Sequence, residues 1–235
     1  MSKYKKRFDG RKFDETRPIE AEAGVIKKAD GSARFKIGNT VAYAAVYGPR
    51  ELFPRNQHDP KKGKLRCNYS MMAFSGTGER IRPGPNRRAK EISMVTEKAL
   101  LPVVDLSDYP NAVVDVFIEL PETDAGSRCA GICAASIALA DAGIIMKDMV
   151  ASVSMGNIDG QLVLDLDYAE EAFEDGDVAD IPIAMIPSTG ELTLLQMDGF
   201  ISPKDLKKAI ELVKKPMEKI AEIQRKAVQN RYKVK

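Results

Sequence analysis

The stretch TDAGSRCAGICAASIALADAGI, Thr123 to Ile144, decides how the rest of the chain is read. Its second half is built from very small residues: Ala130, Gly131, Ala134, Ala135, Ala138, Ala140 and Ala142. Such side chains let a helix lie close against a sheet or a second helix, so the stretch predicts a central, buried helix. Its mouth is Gly126-Ser127-Arg128. The first turn of a helix carries unpaired N–H groups and a partial positive charge. Gly126 permits close backbone approach, Ser127 adds a hydroxyl and Arg128 a fork of donors. Together they suit a phosphate-sized anion. The same three residues also fit an ordinary cap at Ser127 followed by a surface arginine, and local pattern alone does not separate the two readings.

Outward from that helix the pattern is mixed. On its N-terminal side, IEAEAGVIKKADGSARFKIGNTVAYAAVYGP holds short apolar runs broken at Asp30-Gly31 and Gly38-Asn39, the marks of hairpins. Further strands are expected at Leu65–Phe74 and in NAVVDVFIEL. Between them lies a loop from Ser75 to Asn86, then a helix from Arg88 to about Val104 with Ile92, Val95 and Ala99 on one face. On the C-terminal side, hairpins are predicted to turn at Asp159-Gly160 and around Thr189-Gly190. A long amphipathic helix closes the chain over about 203–230. Ser202 caps it, Pro203 suits its first position, and Leu206, Ile210, Val213, Met217 and Ile220 form its buried stripe. Pro216 is expected to kink it. Strands and helices in this order predict an α+β fold in one domain spanning residues 1–235, with a core over about 9–200.

The chain has 235 residues, enough for a substantial core, with 44% apolar and 30% charged residues. The basic start leads into no apolar run, and no stretch approaches the length of a membrane span. A secretory signal and membrane insertion are therefore not expected. Three cysteines, Cys67, Cys129 and Cys133, fit a reducing compartment, so a cytoplasmic protein is expected. The net charge is only +2, but it is unevenly spread. ERIRPGPNRRAK (79–90) holds five bases and one acid; the segment from Asp165 to Asp180 holds eight acids and no base. Such patches can steer charged partners or form halves of a site for phosphate and a metal.

Arg87 and Arg88 open a helix, where cations oppose its dipole, so a use in gripping backbone phosphates is favoured over helix stability. Arg82 sits in the preceding loop and Arg66 on a strand nearby. Asp180 precedes an apolar, strand-like run and is the acid best placed to bind Mg²⁺ or pass a proton to a leaving group. His58 is the only histidine, which argues against a Ser-His-Asp triad or a multi-histidine zinc site. SGTGER lacks the lysine and following Ser/Thr of a P-loop, so a small-molecule phosphotransferase is disfavoured.

Taken together and in order, FDGRKFDETRPI, GNTVAYAAVYGP, MMAFSGTGERIRPGPNRRAKEIS, DAGSRCAGICAASIALADAGI, GQLVLDLDY, ADIPIAM and LLQMDG resemble the ribonuclease PH family, most closely its catalytic branch in the archaeal exosome. The resemblance implies a ribonuclease PH-like fold with a core like the second domain of ribosomal protein S5. It implies phosphorolysis of RNA from 3′ to 5′, with inorganic phosphate as co-substrate and nucleoside diphosphates as products. It makes Gly126, Ser127 and Arg128 the phosphate site, and Arg87, Arg88, Arg66 and Arg82 contacts to RNA. Asp180 becomes the second of two acidic residues for acid catalysis and metal binding, with Mg²⁺ a possible ion. Counting back at the family's spacing lands the first on Glu174, with Asp175 one position off; both stand as candidates. Where the family offers a second strand arginine, this chain has Asn68. The resemblance further implies an inactive paralogue as partner, three such pairs in a hexameric ring, and RNA-binding cap proteins. The rival reading is a ring subunit that binds RNA without degrading it.

Overall fold

Two β-sheets lie on either side of the Ala/Gly helix in this computed structural model, which describes residues 4–77, 81, 82, 84 and 86–233. Parts of the predicted loop 75–86, at 78–80, 83 and 85, fall outside the described residues.

The first sheet has five strands in the order β1 (Ile19–Ala23), β2 (Gly31–Ile37), β3 (Thr40–Glu51), β5 (Ala112–Glu122) and β4 (Lys64–Met71). All neighbours are antiparallel except β4 and β5, which are joined by helix α1 (Arg87–Leu100). A parallel pair needs such a crossover, because a tight turn cannot reverse the chain twice. The Gly38-Asn39 turn joins β2 to β3 as expected. Asp30-Gly31 is not a turn apex: Gly31 is the first residue of β2, and the connection from β1 spans 24–30. Gly31 is there for packing, since a Cβ would collide with the backbone of Ala138 and Ala142.

The second sheet is an antiparallel set ordered β7 (Gln161–Leu164), β6 (Ala151–Ile158), β8 (Val178–Ile186) and β9 (Glu191–Leu195). Asp159 and Gly160 turn between β6 and β7, both with positive φ, the conformation a two-residue hairpin with right-handed strand twist requires. A short helix, α3 (Tyr168–Glu171), lies between β7 and β8.

Helix α2 (Ser127–Asp141) packs on β2 and β3 of the first sheet and on β6 and β8 of the second. Nearly all of its side chains are buried, as the small-residue pattern predicted. At Gly131 an added Cβ would stand 3.2 Å from Cγ2 of Ile118, so the approach to β5 leaves no room for even alanine without adjustment. One apolar cluster runs from Phe35, Val46 and Ile118 through Ile132 and Leu139 to Val153, Ile183, Met217 and Ile220. It thereby joins both sheets to α1, α2 and α4 (Pro203–Tyr232).

Helix α1 stops at Leu100 rather than near Val104. Pro102 accounts for this, because it has no N–H with which to continue the helical ladder. Helix α4 stays helical across Pro216. Pro216 is only half-buried and Leu212, one turn earlier, is exposed, so water can satisfy the carbonyl left without a partner. Among the described residues no helix is long and apolar enough to cross a membrane.

Candidate active site

The mouth of α2 opens into a cavity of about 270 Å³. Six pieces of chain meet there: the end of β4 with the loop after it, the turn before α2, the start of α1, α3, β6 and β8. Gly126 is the cap of α2, in left-handed backbone at φ 62°, and Ala125 before it has φ 58°. A left-handed alanine costs about 1–3 kcal/mol and persists only where surroundings over-determine it. Here Thr40 Oγ1 donates to the carbonyl of Ala125 at 2.7 Å, and Arg17 Nη1 donates to the carbonyl of Asp124. Ser127 is therefore not the cap; it is the first helical residue, with its side chain buried at the cavity wall.

Arg128 lines the cavity and is held from the side. Its Nη1 donates to Gln196 Oε1 at 2.5 Å, and Gln196 Nε2 donates to Glu91 Oε1 at 2.9 Å. Gln196 occupies one of the five donors of the guanidinium, so the fork is fixed with donors to spare. Arg88 joins it at the cavity rim.

Opposite these cations stand Asp180 and Glu171. Burial pushes Asp180 up to about 6, helped by nearby Asp198 and opposed by Arg128 and Arg88. Burial pushes Glu171 up to about 7, with the charge of Asp180 adding to it and Arg88, Arg17 and Arg128 opposing. Asp180 ionises first, so Glu171 meets the repulsion of a formed carboxylate and keeps its proton to about neutral pH. Two buried polar atoms of lining residues, Ser154 Oγ and Asp180 Oδ1, have no hydrogen-bond partner. Buried polar atoms are ordinarily satisfied, so an unpaired donor and acceptor in one cavity mark space that a polar ligand fills.

The sequence-predicted residues divide accordingly. Gly126, Ser127, Arg128, Arg88 and Asp180 converge on the cavity. Arg87 and Arg82 are exposed outside it. Arg66 lies on the outward face of the first sheet, its Nε and Nη2 donating to the Asp115 carboxylate at 2.5 and 2.9 Å. Glu174 and Asp175 are exposed and do not line the cavity; the carboxylate that faces Asp180 is Glu171. The fixed count failed because 172–177 form a loop longer than the spacing assumes. A local signal was present. Asp167-Tyr-Ala-Glu170 is a capping box, with Asp167 Oδ1 accepting from Glu170 N at 2.9 Å and Glu170 Oε2 accepting from Asp167 N at 3.1 Å. It fixes a turn of helix with Glu170 inward, which leaves Glu171 to point at the cavity. Gln196 and Ser154 carried no sequence signal.

The donor set also bears on a metal. Among the described residues no three His, Cys, Asp or Glu converge into a protein-only cage. A pair of carboxylates, one with an unpaired oxygen, instead fits Mg²⁺, which commonly takes one or two protein carboxylates and completes its shell with water and substrate phosphate oxygens.

An α+β fold with an arginine-lined cavity at a helix mouth and two largely buried carboxyls in its wall defines a class: nucleases of the ribonuclease PH kind. Comparison with known proteins bears this out. The 3′ exoribonuclease family, domain 1, matches residues 15–145, and its domain 2 matches residues 148–215. The chain belongs to this ribonuclease PH family of 3′ exoribonucleases. Among its relatives, the exosome complex component Rrp41 of Methanopyrus kandleri is 48% identical over 226 residues, covering 96% of this chain and 93% of that protein. Its counterpart from Thermococcus kodakarensis is 47% identical over 227 residues, covering 97% and 90%. Among solved structures, rice (Oryza sativa) Rrp46 superposes with a TM-score of 0.82 at 26% identity, over 95% of this chain and 100% of that one. The Archaeoglobus fulgidus exosome with RNA bound to the active site matches in fold, with a TM-score of 0.79 at 23% identity, over 93% and 92%.

Proposed function

We propose that this chain is the catalytic subunit of an archaeal-type exosome ring, degrading RNA from the 3′ end by phosphorolysis. One observation carries the reading: a cavity at the mouth of α2 is lined by Arg128, Arg88, Asp180 and Glu171, and two buried polar atoms of its wall, Ser154 Oγ and Asp180 Oδ1, have no hydrogen-bond partner. The site contains anion-binding groups and a proton source, which are the groups needed when the attacking nucleophile is itself a bound phosphate.

Gly126, Ser127 and Arg128 hold inorganic phosphate as co-substrate. Arg88 grips the phosphodiester next to the 3′ terminus, and Arg87, Arg82 and Arg66 hold RNA further back. An oxygen of the bound phosphate attacks the phosphorus of the terminal nucleotide. A new P–O bond forms and the bond to the 3′ oxygen of the preceding nucleotide breaks, releasing a nucleoside diphosphate. That 3′ oxygen takes the proton of Glu171, whose carboxyl stays protonated to about neutral pH. The arginines neutralise charge as the two anions meet, and such preorganised charge is usually the largest catalytic contribution. When bound, Mg²⁺ would be held by Asp180 and would add further charge neutralisation.

The continuous apolar core supports one ribonuclease PH-like domain over residues 1–235, even though two family segments match it. Its relatives' names support membership of an exosome, the family resemblance supports an inactive paralogue as partner, three pairs in a hexameric ring and RNA-binding cap proteins, and the three free cysteines support a cytoplasmic location. Contacts to phosphate position RNA without reading bases, so degradation should be largely indifferent to sequence.

The test is product identity. The purified chain, co-expressed with its candidate partner, should release nucleoside diphosphates from single-stranded RNA only when phosphate is present. Arg128→Ala should abolish that release at moderate phosphate. Nucleoside monophosphates formed in phosphate-free buffer would overturn the reading. No degradation in either buffer, with RNA still bound, would favour the non-catalytic alternative.

A further inference from the structure

We infer that Asp124 is a positioning residue that holds the phosphate turn and the helix carrying Glu171 in fixed register. This rests on the phosphorolytic reading above and deepens it.

The two halves of the cavity come from distant parts of the chain, and each has its own anchor. The phosphate turn is tied to the first sheet and to the N-terminal segment. Thr40 Oγ1 accepts from the N–H of Asp124 at 2.9 Å and donates to the carbonyl of Ala125. Arg17, whose Nη1 donates to the carbonyl of Asp124, is clamped by Asp165: its backbone N donates to Oδ2 at 2.7 Å, Nε to Oδ2 at 3.0 Å and Nη2 to Oδ1 at 2.7 Å. Helix α3 is tied from beneath. Glu170 accepts from Arg7 Nη2 at 2.7 Å and from Tyr4 Oη at 2.5 Å, with both ends of the Arg7–Glu170 pair fully buried.

The Asp124 side chain bridges the two halves. Oδ1 accepts from the N–H of Tyr168 at 3.0 Å, while Oδ2 accepts from Asn39 Nδ2 at 3.1 Å. Tyr168 is the first residue of α3, and its N–H is one of the donors a helix start leaves without an intrahelical partner. Asp124 is two residues before the glycine cap of α2, and Glu171 is three residues after Tyr168. One carboxylate therefore sets the distance between the place where phosphate sits and Glu171, the carboxyl that carries the leaving group's proton. A catalytic group displaced by about 1 Å can cost on the order of a hundredfold in rate.

The bridge can be cut from either end without touching a cavity-facing charge. Tyr168→Pro removes the N–H at a position where proline is well tolerated in a helix, and the residue before it, Asp167, is already extended at ψ 174°. Tyr168→Ala loses the same ring but keeps the N–H, and is the reference. Asp124→Ala removes the acceptor; Asp124→Asn keeps an oxygen for Tyr168, and Asn39 can turn its amide to match. Each variant of the full-length chain, in the assembly the wild type forms, is assayed for nucleoside diphosphate release from single-stranded RNA with varied inorganic phosphate.

Tyr168→Pro should lower kcat roughly tenfold below Tyr168→Ala, the worth of one hydrogen bond to a charged group, with the phosphate KM unchanged. Asp124→Ala should lower kcat to a similar extent and raise the phosphate KM as well, because it also frees the turn. Adding Asp124→Ala to Tyr168→Pro should bring no further fall in kcat. Asp124→Asn should restore most of the activity. A purely structural role would instead scale all parameters with the folded fraction. Equal kcat for Tyr168→Pro and Tyr168→Ala in an active wild-type background, or fully additive losses in the double variant, overturns this inference alone. A wild type that releases no nucleoside diphosphate overturns the functional reading and this inference with it.

Discussion

Replacing Glu171 by glutamine separates what that side chain costs the fold from what it does for the reaction. The carboxyl is pushed from its ordinary 4.5 up to about 7, first by burial and then by Asp180. A difference of that size corresponds to about 3 kcal/mol between its protonated and ionised forms, an upper bound because part of the charge reaches solvent. The sign follows from linkage. The folded carboxyl keeps its proton to higher pH than the unfolded one, so the folded state binds more protons between about 4.5 and 7. The associated stability is fully present below 4.5 and is lost as pH rises through 7. Glutamine resembles the protonated form at every pH. Wild type and Glu171→Gln should therefore unfold at similar temperatures at pH 5, while at pH 8.5 the variant should be more stable by roughly 2 kcal/mol, or about 4–8 °C in Tm for a chain of this size. The assay is thermal unfolding of the chain in phosphate-free buffer across that pH range, since bound anion would itself stabilise the site. In the same variant, nucleoside diphosphate release should fall by a factor of about 10²–10⁴, the usual worth of a general acid. Parallel Tm profiles would show that Glu171 is not strained when ionised. Undiminished turnover would show that the proton comes from elsewhere.

Three further outcomes follow from the geometry. Arg7→Ala should destabilise the chain by about 3–5 kcal/mol, because it strands the buried carboxylate of Glu170, and chemical denaturation will measure it. Gly31→Ala should cost at least about 1–3 kcal/mol, since the new methyl group overlaps the backbone of α2 at Ala138 and Ala142, and a shift in thermal midpoint will report it. Arg88→Ala should depress turnover far more than Arg87→Ala, because only Arg88 lines the cavity; steady-state rates with saturating RNA will show the asymmetry.

Much of this was legible in the chain. The buried helix at 127–141 could be foreseen because Ala and Gly in that density have only one structural use, close approach. The turns at Gly38-Asn39 and Asp159-Gly160 could be foreseen because few residues tolerate the backbone a tight hairpin demands. Arg128, Arg88 and Asp180 were found because a charge at the edge of an element stands out from its local pattern. Other parts of the site were not visible in that way. Asp124 reads as an ordinary polar residue in a turn, and Gln196 as one more polar residue after a strand. The choice between Glu174 and Asp175 was made by counting, and counting cannot see a loop that lengthens.

Local chemistry in the sequence therefore determined most of the elements and the small-residue helix with Gly126-Ser127-Arg128 at its mouth, since propensity, hairpin turns and capping act over a few residues, while the family was legible through the resemblance of its motifs in order. Only the tertiary structure decided which of the seven other acids of that segment faces Asp180, that Ser127 lies inside the helix rather than capping it, and that Arg66 is paired with Asp115 outside the cavity. The physical reason is burial. A carboxylate becomes a proton donor near neutral pH only when packing from distant strands removes its water and sets a second charge beside it, and neither condition is a property of its neighbours along the chain.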